Sequence, residues 1–485
     1  MSQVGECEAS SLYGDSMYTQ GAIATLVLVV LFLLQDKFQF LYHAKLWVEY
    51  LTSSVPTIDV PMTDAVAKDD GVKGEPCKKM ELVDPSNPKM LNCYDPSTKQ
   101  FLGQAKNMTK EEVHEILKKA KAAQVEWSKT TFAERRMVLR TIQKYICEHV
   151  EDIVRVSSRE SGKPKVDAVL GEVVTTCEKI RTICEWGEMW LRPSYRPTGP
   201  MMMHKSAWVE YVPLGLIVAI APWNYPFHNS VRTKYKISIA FNSCFERMQI
   251  SHFLEMSFRS FPFQINHVIS GLMAGNAVVG KVSEHASWSA EYYGNIIQKA
   301  LEAHGHNPDL VATVTGMAEA GQALCTSPLV DKIIFTGSTP IGRKVMESAS
   351  QQLTPVILEL GGKDVMVFRG DVSLKTIVPW VMRGCFQNSG QNCVGVERVL
   401  VYESIMEKFI EAVVPKVKAL RQGIPLKGAC GADGIVDCGS MIMPRQLEIV
   451  QALVDDAVKK GATLHCGGSI NASLNGQFFE PTILR

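Results

Sequence analysis

Val356-Ile357-Leu358-Glu359-Leu360-Gly361-Gly362-Lys363 is a short apolar run that carries one carboxylate and stops at two glycines. Its length and its Val, Ile and Leu content read as a strand buried on both faces. A carboxylate inside such a run is costly unless it is paired or used. The glycine pair would let the backbone pass close to another group. Working outward, similar runs recur at 214–220, 277–282, 310–314, 332–335 and 365–368. Amphipathic stretches at 286–303, 341–352 and 373–387 separate or follow them. Buried strands alternating with helices predict an α/β fold with a mostly parallel sheet.

With 485 residues the chain exceeds one ordinary core, so more than one domain is expected. Hydrophobic residues make up 46% and charged residues 21%, which fits a globular protein and not a disordered one. The net charge of +1, without a long Lys or Arg run, excludes a global field that would draw nucleic acid. Thirteen scattered cysteines contain no CxxC pair. That excludes a zinc ribbon or thioredoxin motif, predicts no metal, and reads as free thiols in a reducing compartment.

Three further segments carry candidate chemistry. Phe386-Gln387-Asn388-Ser389-Gly390-Gln391-Asn392-Cys393 lies between a helical and a strand-like run, and 34 positions separate Glu359 from Cys393. Ala221-Pro222-Trp223-Asn224-Tyr225-Pro226 ends a strand with an amide bracketed by prolines. Gly337-Ser338-Thr339-Pro340-Ile341-Gly342 follows a strand and opens a helix, where backbone N–H groups and the helix dipole favour an anion. This last segment is neither GxGxxG nor a P-loop, since Arg343 stands where that motif needs Lys. On its own it reads more readily as a plain strand-to-helix turn.

Together with Lys281-Val282-Ser283-Glu284 and Phe335-Thr336-Gly337-Ser338, these ordered segments resemble the aldehyde dehydrogenase superfamily from about residue 93 onward. The resemblance implies a Rossmann-type NAD-binding domain over 86–360, with a hairpin near 197–212, and an α/β catalytic domain over 361–485. It implies Cys393 as nucleophile, Asn224 as oxyanion donor and Glu359 as the base that activates water. Trp223, Lys281, Ser283, Glu284, Gly316, Gly337, Ser338 and Leu360 would hold the cofactor. A carboxylate at Glu284 would accept the ribose 2′-hydroxyl and repel a 2′-phosphate, so NAD is expected over NADP. The implied partner is a small-molecule aldehyde substrate.

Two departures from that pattern stand out. Between Asn224 and Lys281 the chain is longer than in the family, and the surplus fits 231–264. This segment is either an aberrant insert, such as a retained intron, or a genuine surface loop. The segment ending in Phe478-Phe479-Glu480-Pro481-Thr482-Ile483 normally continues much further. The catalytic domain is therefore expected to be incomplete, lacking the nicotinamide-ribose segment and the strand that pairs with the oligomerisation hairpin. A non-catalytic, truncated pseudoenzyme or splice variant is the alternative to an active dehydrogenase.

The N-terminus carries a third signal. No charge occurs from Ser16 to Gln35, and 21–34 is continuously apolar but for Thr25. That length predicts one transmembrane helix at about 17–35, within an N-terminal segment of 1–52. Lys37 and Lys45 follow the span and no Lys or Arg precedes it, which places the enzyme domain in the cytoplasm. A single-pass endomembrane protein is expected, as at the endoplasmic reticulum, similar to the membrane-anchored plant and fungal branch. Residues 53–85 read as a polar linker.

Overall fold

The computed structural model describes residues 40–62, 75–230, 267–426 and 435–485. The expected span at 17–35 and the segment 231–264 lie outside these. The chain divides into two compact units, with the boundary in sequence between Val55 and Pro56. The first holds helix α1, Phe40–Thr52. No helix among the described residues is long and apolar enough to cross a membrane.

The second unit opens with the stretch read as a linker. Ile58 and Val60 alternate with polar residues, and both are buried in the main core. An antiparallel pair follows, β1 (Met90–Tyr94) and β2 (Phe101–Lys106). Helices α2 (Lys110–Trp127) and α3 (Phe132–Glu148) each start with a capping box. In these, Thr109 pairs with Glu112 and Thr131 with Glu134, satisfying backbone donors that a helix start leaves open. Helix α4 spans Val150–Ser161. Lys165–Ala168, a π-helical turn at Val169–Val174 and helix α5 (Thr175–Trp190) then follow without a break. The hairpin is present three residues earlier than expected, as β3 (Ser194–Arg196) paired with β4 (Ala207–Val209).

The centre is a parallel five-stranded sheet. Its strands are β5 (Leu216–Ile220), β6 (Ala277–Lys281), β7 (Val311–Val314), β8 (Lys332–Gly337) and β9 (Val356–Leu360), in spatial order β7-β6-β5-β8-β9. Helices α6 (Pro226–Ser230), α7 (His267–Met273), α8 (Ala290–Glu302), α9 (Ala318–Cys325) and α10 (Thr339–Ser350) lie between its strands in sequence. Leu216, Val218, Val278, Val279 and Ile333 are fully buried, each contributing roughly 1.5–3 kcal/mol. The expected α/β architecture is therefore present.

A second layer begins after residue 360. Strand β10 (Asp364–Phe368) pairs in parallel with β11 (Val396–Val401), with α11 (Leu374–Phe386) crossing between them. Helices α12 (Glu403–Lys418) and α13 (Pro444–Lys459) and the short pair β12 (Leu464–Cys466) and β13 (Ile483–Leu484) complete it. It has its own core, built on Phe368, Val378, Val381, Phe409 and Val413. Burial on both faces does not extend to β9 and β10. Among the described residues strand β9 is one edge of the sheet, and β10 has β11 as its one partner, so Val365 and Val367 are exposed. Nor does Gly361 mark a close approach, since a Cβ there would meet nothing within 4 Å.

Candidate active site

In an open parallel sheet, ligands settle outside the carboxyl ends of the strands. The register aligns those ends here: Ile220 faces Lys281 and Phe335, Lys281 faces Val314, and Gly337 faces Leu360. Asn224, Lys281, Gly337, Ser338, Glu359 and Leu360 all lie at or just past this edge.

Asn224 is buried in the turn between β5 and α6. Its Nδ2 donates to the Gln391 carbonyl at 3.1 Å, two residues before Cys393. Its own carbonyl accepts from Asn388 Nδ2 at 3.1 Å and from Lys163 Nζ at 2.8 Å. The oxyanion candidate is thus tied directly to the loop that carries the candidate nucleophile. That loop leaves α11 through Asn388, Ser389 and Gly390 with φ of 52°, 55° and 75°. Consecutive left-handed residues cost energy for side chains other than glycine, and such strain collects at functional sites. The Gln391 side chain holds the loop by donating to the Asn388 and Ser440 carbonyls, both at 3.2 Å, and accepting from Ile442 N at 3.0 Å.

Glu359 is half-buried and stands opposite Thr336 in the β8–β9 register. Past it, the Lys363 carbonyl accepts from Arg398 Nε at 3.1 Å and Nη2 at 2.7 Å, and the Lys363 ammonium pairs with Glu397. Asp364 pairs with Val396 at the start of β10 and β11. Glu359 and Cys393 therefore enter this parallel pair from the same end. Cys393 is half-buried.

Sequence patterning missed the buried ionic frame beneath Asn224. Lys163 is fully buried, donates to Glu172 Oε1 at 2.6 Å and lies 4.3 Å from the Tyr225 ring centre. Glu172, on the π-helical turn, also accepts from His228 N at 2.7 Å and Ser157 Oγ at 2.6 Å. Burial lowers the pKa of Lys163, and the Glu172 carboxylate opposes that shift. Asp167 binds Arg383 Nη1 at 2.7 Å and Asn388 N at 2.8 Å, and burial raises its pKa. The one sequence signal was Gly162-Lys163-Pro164, a helix stop that turns a lysine out of helical register.

The cofactor candidates fall into two groups along the same edge. Lys281 is buried, with Nζ 3.0 Å from the Val282 carbonyl. Burial lowers its pKa, and the nearby Glu284 carboxylate pulls it back. Ser283 starts the 3₁₀ turn that carries half-buried Glu284 and donates to Glu284 Oε2 at 3.3 Å. Gly316, after β7, has φ of 142°, and a Cβ there would come within 2.9 Å of Ala320 Cβ. Ser338 is the exposed N-cap of α10 and its side chain makes no capping bond, which leaves first-turn N–H groups facing outward. Thr336 Oγ1 is buried with no hydrogen-bond partner among the described residues. Half-buried Trp223 adjoins Asn224, and Leu360 is partly exposed at the end of β9. These features fit a dinucleotide: a helix start for its pyrophosphate, a carboxylate for a ribose hydroxyl and an orphaned hydroxyl near Glu359. Among the described residues no His, Cys, Asp and Glu cluster could hold a metal ion.

Comparison with known proteins identifies the family of the chain. The model of the aldehyde dehydrogenase family matches residues 82–244 and 261–485. An aldehyde dehydrogenase-like protein of Schizosaccharomyces pombe is 34% identical over 397 residues, covering 81% of this chain and 68% of its own. One from Saccharomyces cerevisiae is 33% identical over 448 residues, covering 89% and 64%. The chain thus spans about two thirds of the length of these relatives. The crystal structure of an aldehyde dehydrogenase from Brucella melitensis biovar abortus 2308 superposes with a TM-score of 0.67 at 26% identity, covering 83% of this chain and 73% of that one. The chain belongs to the aldehyde dehydrogenase family.

Proposed function

We propose that the chain oxidises an aldehyde to a carboxylic acid with Cys393 as nucleophile and NAD as cofactor. The observation that carries this is the bond from the Asn224 amide to the Gln391 carbonyl, which joins the amide to the Cys393 loop. The Cys393 sulfur attacks the aldehyde carbon, since a thiolate is a strong, soft nucleophile. The Asn224 amide and the Cys393 backbone N–H stabilise the resulting oxyanion, and losing one such donor costs ~10²–10³ in rate. NAD, when bound, supplies the acceptor for the hydride whose loss leaves a thioester on Cys393. Glu359 then takes a proton from water, and the hydroxide cleaves the thioester and frees the sulfur. Glu284 supports a preference for NAD, because its carboxylate accepts a ribose hydroxyl and repels a phosphate.

Cys393→Ala should abolish oxidation while NAD still binds, because other segments hold the cofactor. Glu359→Gln should give a burst of NADH followed by slow turnover, since acylation survives and hydrolysis does not. Residual steady-state oxidation by Cys393→Ala would refute the assignment.

The apolar stretch 21–34 and the lysines after it support a single-pass anchor. In this proposal the globular unit faces the cytoplasm from an endomembrane such as the endoplasmic reticulum.

A further inference from the structure

Away from the site, α3 and α5 bring two thiols together. Cys147 Sγ, in the last turn of α3, lies 4.0 Å from Cys177 Sγ in the first turn of α5. Gln143 Nε2 donates to the Cys177 carbonyl at 3.1 Å, one helical turn before Cys147, and fixes the two helices at this level. Cys147 is exposed, whereas Cys177 is half-buried against the main core. A disulfide requires the sulfurs about 2 Å apart. They must therefore close by about 2 Å, a movement on the scale of side-chain rotation.

We propose that Cys147 and Cys177 form a reversible disulfide that acts as a redox latch between α3 and α5, with hydrogen peroxide as oxidant. Exposed Cys147 reacts first. Its sulfur attacks one peroxide oxygen, the O–O bond breaks, water departs and a sulfenic acid remains. The Cys177 sulfur then attacks that sulfur. The S–S bond forms, the S–O bond breaks, and hydroxide leaves as water with the Cys177 proton. Two thiols lose two electrons and two protons, and one peroxide becomes two waters. A small dithiol reverses the step by exchange. Burial and the neighbouring Cys147 hold the Cys177 thiol protonated, its pKa pushed up to about 12, so it serves as the second thiol and not the first. The latch bears on the active site through continuity: α5 follows directly from the π-helical turn, whose Glu172 holds Lys163 and His228 N.

Tryptic peptides 145–155 and 166–179 each contain one cysteine, Cys147 and Cys177 respectively. The full chain is reduced, desalted and treated with equimolar hydrogen peroxide. It is then blocked with an alkylating agent, digested without reductant and mapped by mass spectrometry. The expected product is the disulfide-linked pair of these two peptides, formed in preference to any other pairing. It should vanish in Cys147→Ser and in Cys177→Ser and lose its preference when oxidation is done in urea. The melting temperature should rise on oxidation and fall back with dithiothreitol in the native sequence, and stay fixed in Cys147→Ser, whose exposed position tolerates serine. Cys147 linked to another cysteine or to a second chain, Cys147 left as an unpaired sulfur acid, or equal yield of the pair in urea would each overturn the latch.

Discussion

Lys163 is the residue on which Asn224 rests. Its ammonium has no route to water, and it bonds at once to a carboxylate and to the Asn224 carbonyl. Removing one partner of a buried ion pair leaves an uncompensated charge, which costs ~3–5 kcal/mol, while replacing both partners can be nearly neutral. Lys163→Met should therefore lower the unfolding free energy by several kcal/mol, and the double change Lys163→Met with Glu172→Leu should recover part of it. Denaturant unfolding of the three chains checks this; a small loss in the single variant would show that the pair is incidental. Glu284 is the residue proposed to select the cofactor. Glu284→Gln removes the charge that repels a 2′-phosphate, so the ratio of NADP to NAD dissociation constants should fall. An unchanged ratio would make Glu284 a bystander. At this scale the sequence was partly legible. Cys393, Asn224 and Glu359 stand in segments whose order and spacing mark them as candidates, and the fold brings the Asn224 amide to the loop that carries Cys393. Lys163, Glu172 and Asp167 do not stand in such segments: beyond the helix stop at Gly162-Lys163-Pro164, their burial is set by contacts with Asn224, His228, Arg383 and Asn388 from later segments of the chain.

Among the elements, the start of α10 is the proposed seat of the pyrophosphate. Strand β8 ends at Gly337 and Ser338 caps the helix without using its hydroxyl. Ser338→Asp should place a carboxylate where the dipole welcomes one, adding on the order of 0.5 kcal/mol of stability. The same charge should repel the pyrophosphate and weaken NAD binding roughly tenfold or more. Calorimetric binding beside a thermal melt separates the two effects; unchanged affinity would move the pyrophosphate elsewhere. The alternation of strands and helices was legible because β5, β6 and β8 are buried on both faces and so lack any polar phase. It misjudged β9 and β10, since an apolar run looks the same whether its outer face is covered or left at an edge. It also read 53–85 as a linker, although Ile58 and Val60 reach the core from a stretch whose polar composition hid them.

For the whole molecule, the two cores divide near residue 360, and the candidate site lies where the chain passes between them: Glu359 on the way out of the first sheet, Cys393 on the way into the second. In the proposed mechanism, catalysis depends on how the β10–β11 pair and its loop are held against the carboxyl edge of the large sheet, through Asn224, Gln391 and Asp167. The proposed anchor adds a further property at this scale. The full chain should remain in the membrane pellet after alkaline carbonate washing and be released on deletion of residues 1–50; a soluble intact chain would exclude the span. The central claim is that Cys393 carries the acyl group. Glu359→Gln chain mixed with aldehyde and NAD, quenched in acid during the NADH burst and mapped by mass spectrometry, should show an acyl adduct on the peptide containing Cys393, in proportion to the NADH formed. NADH formed with Cys393 unmodified, or the adduct on another cysteine, would contradict it.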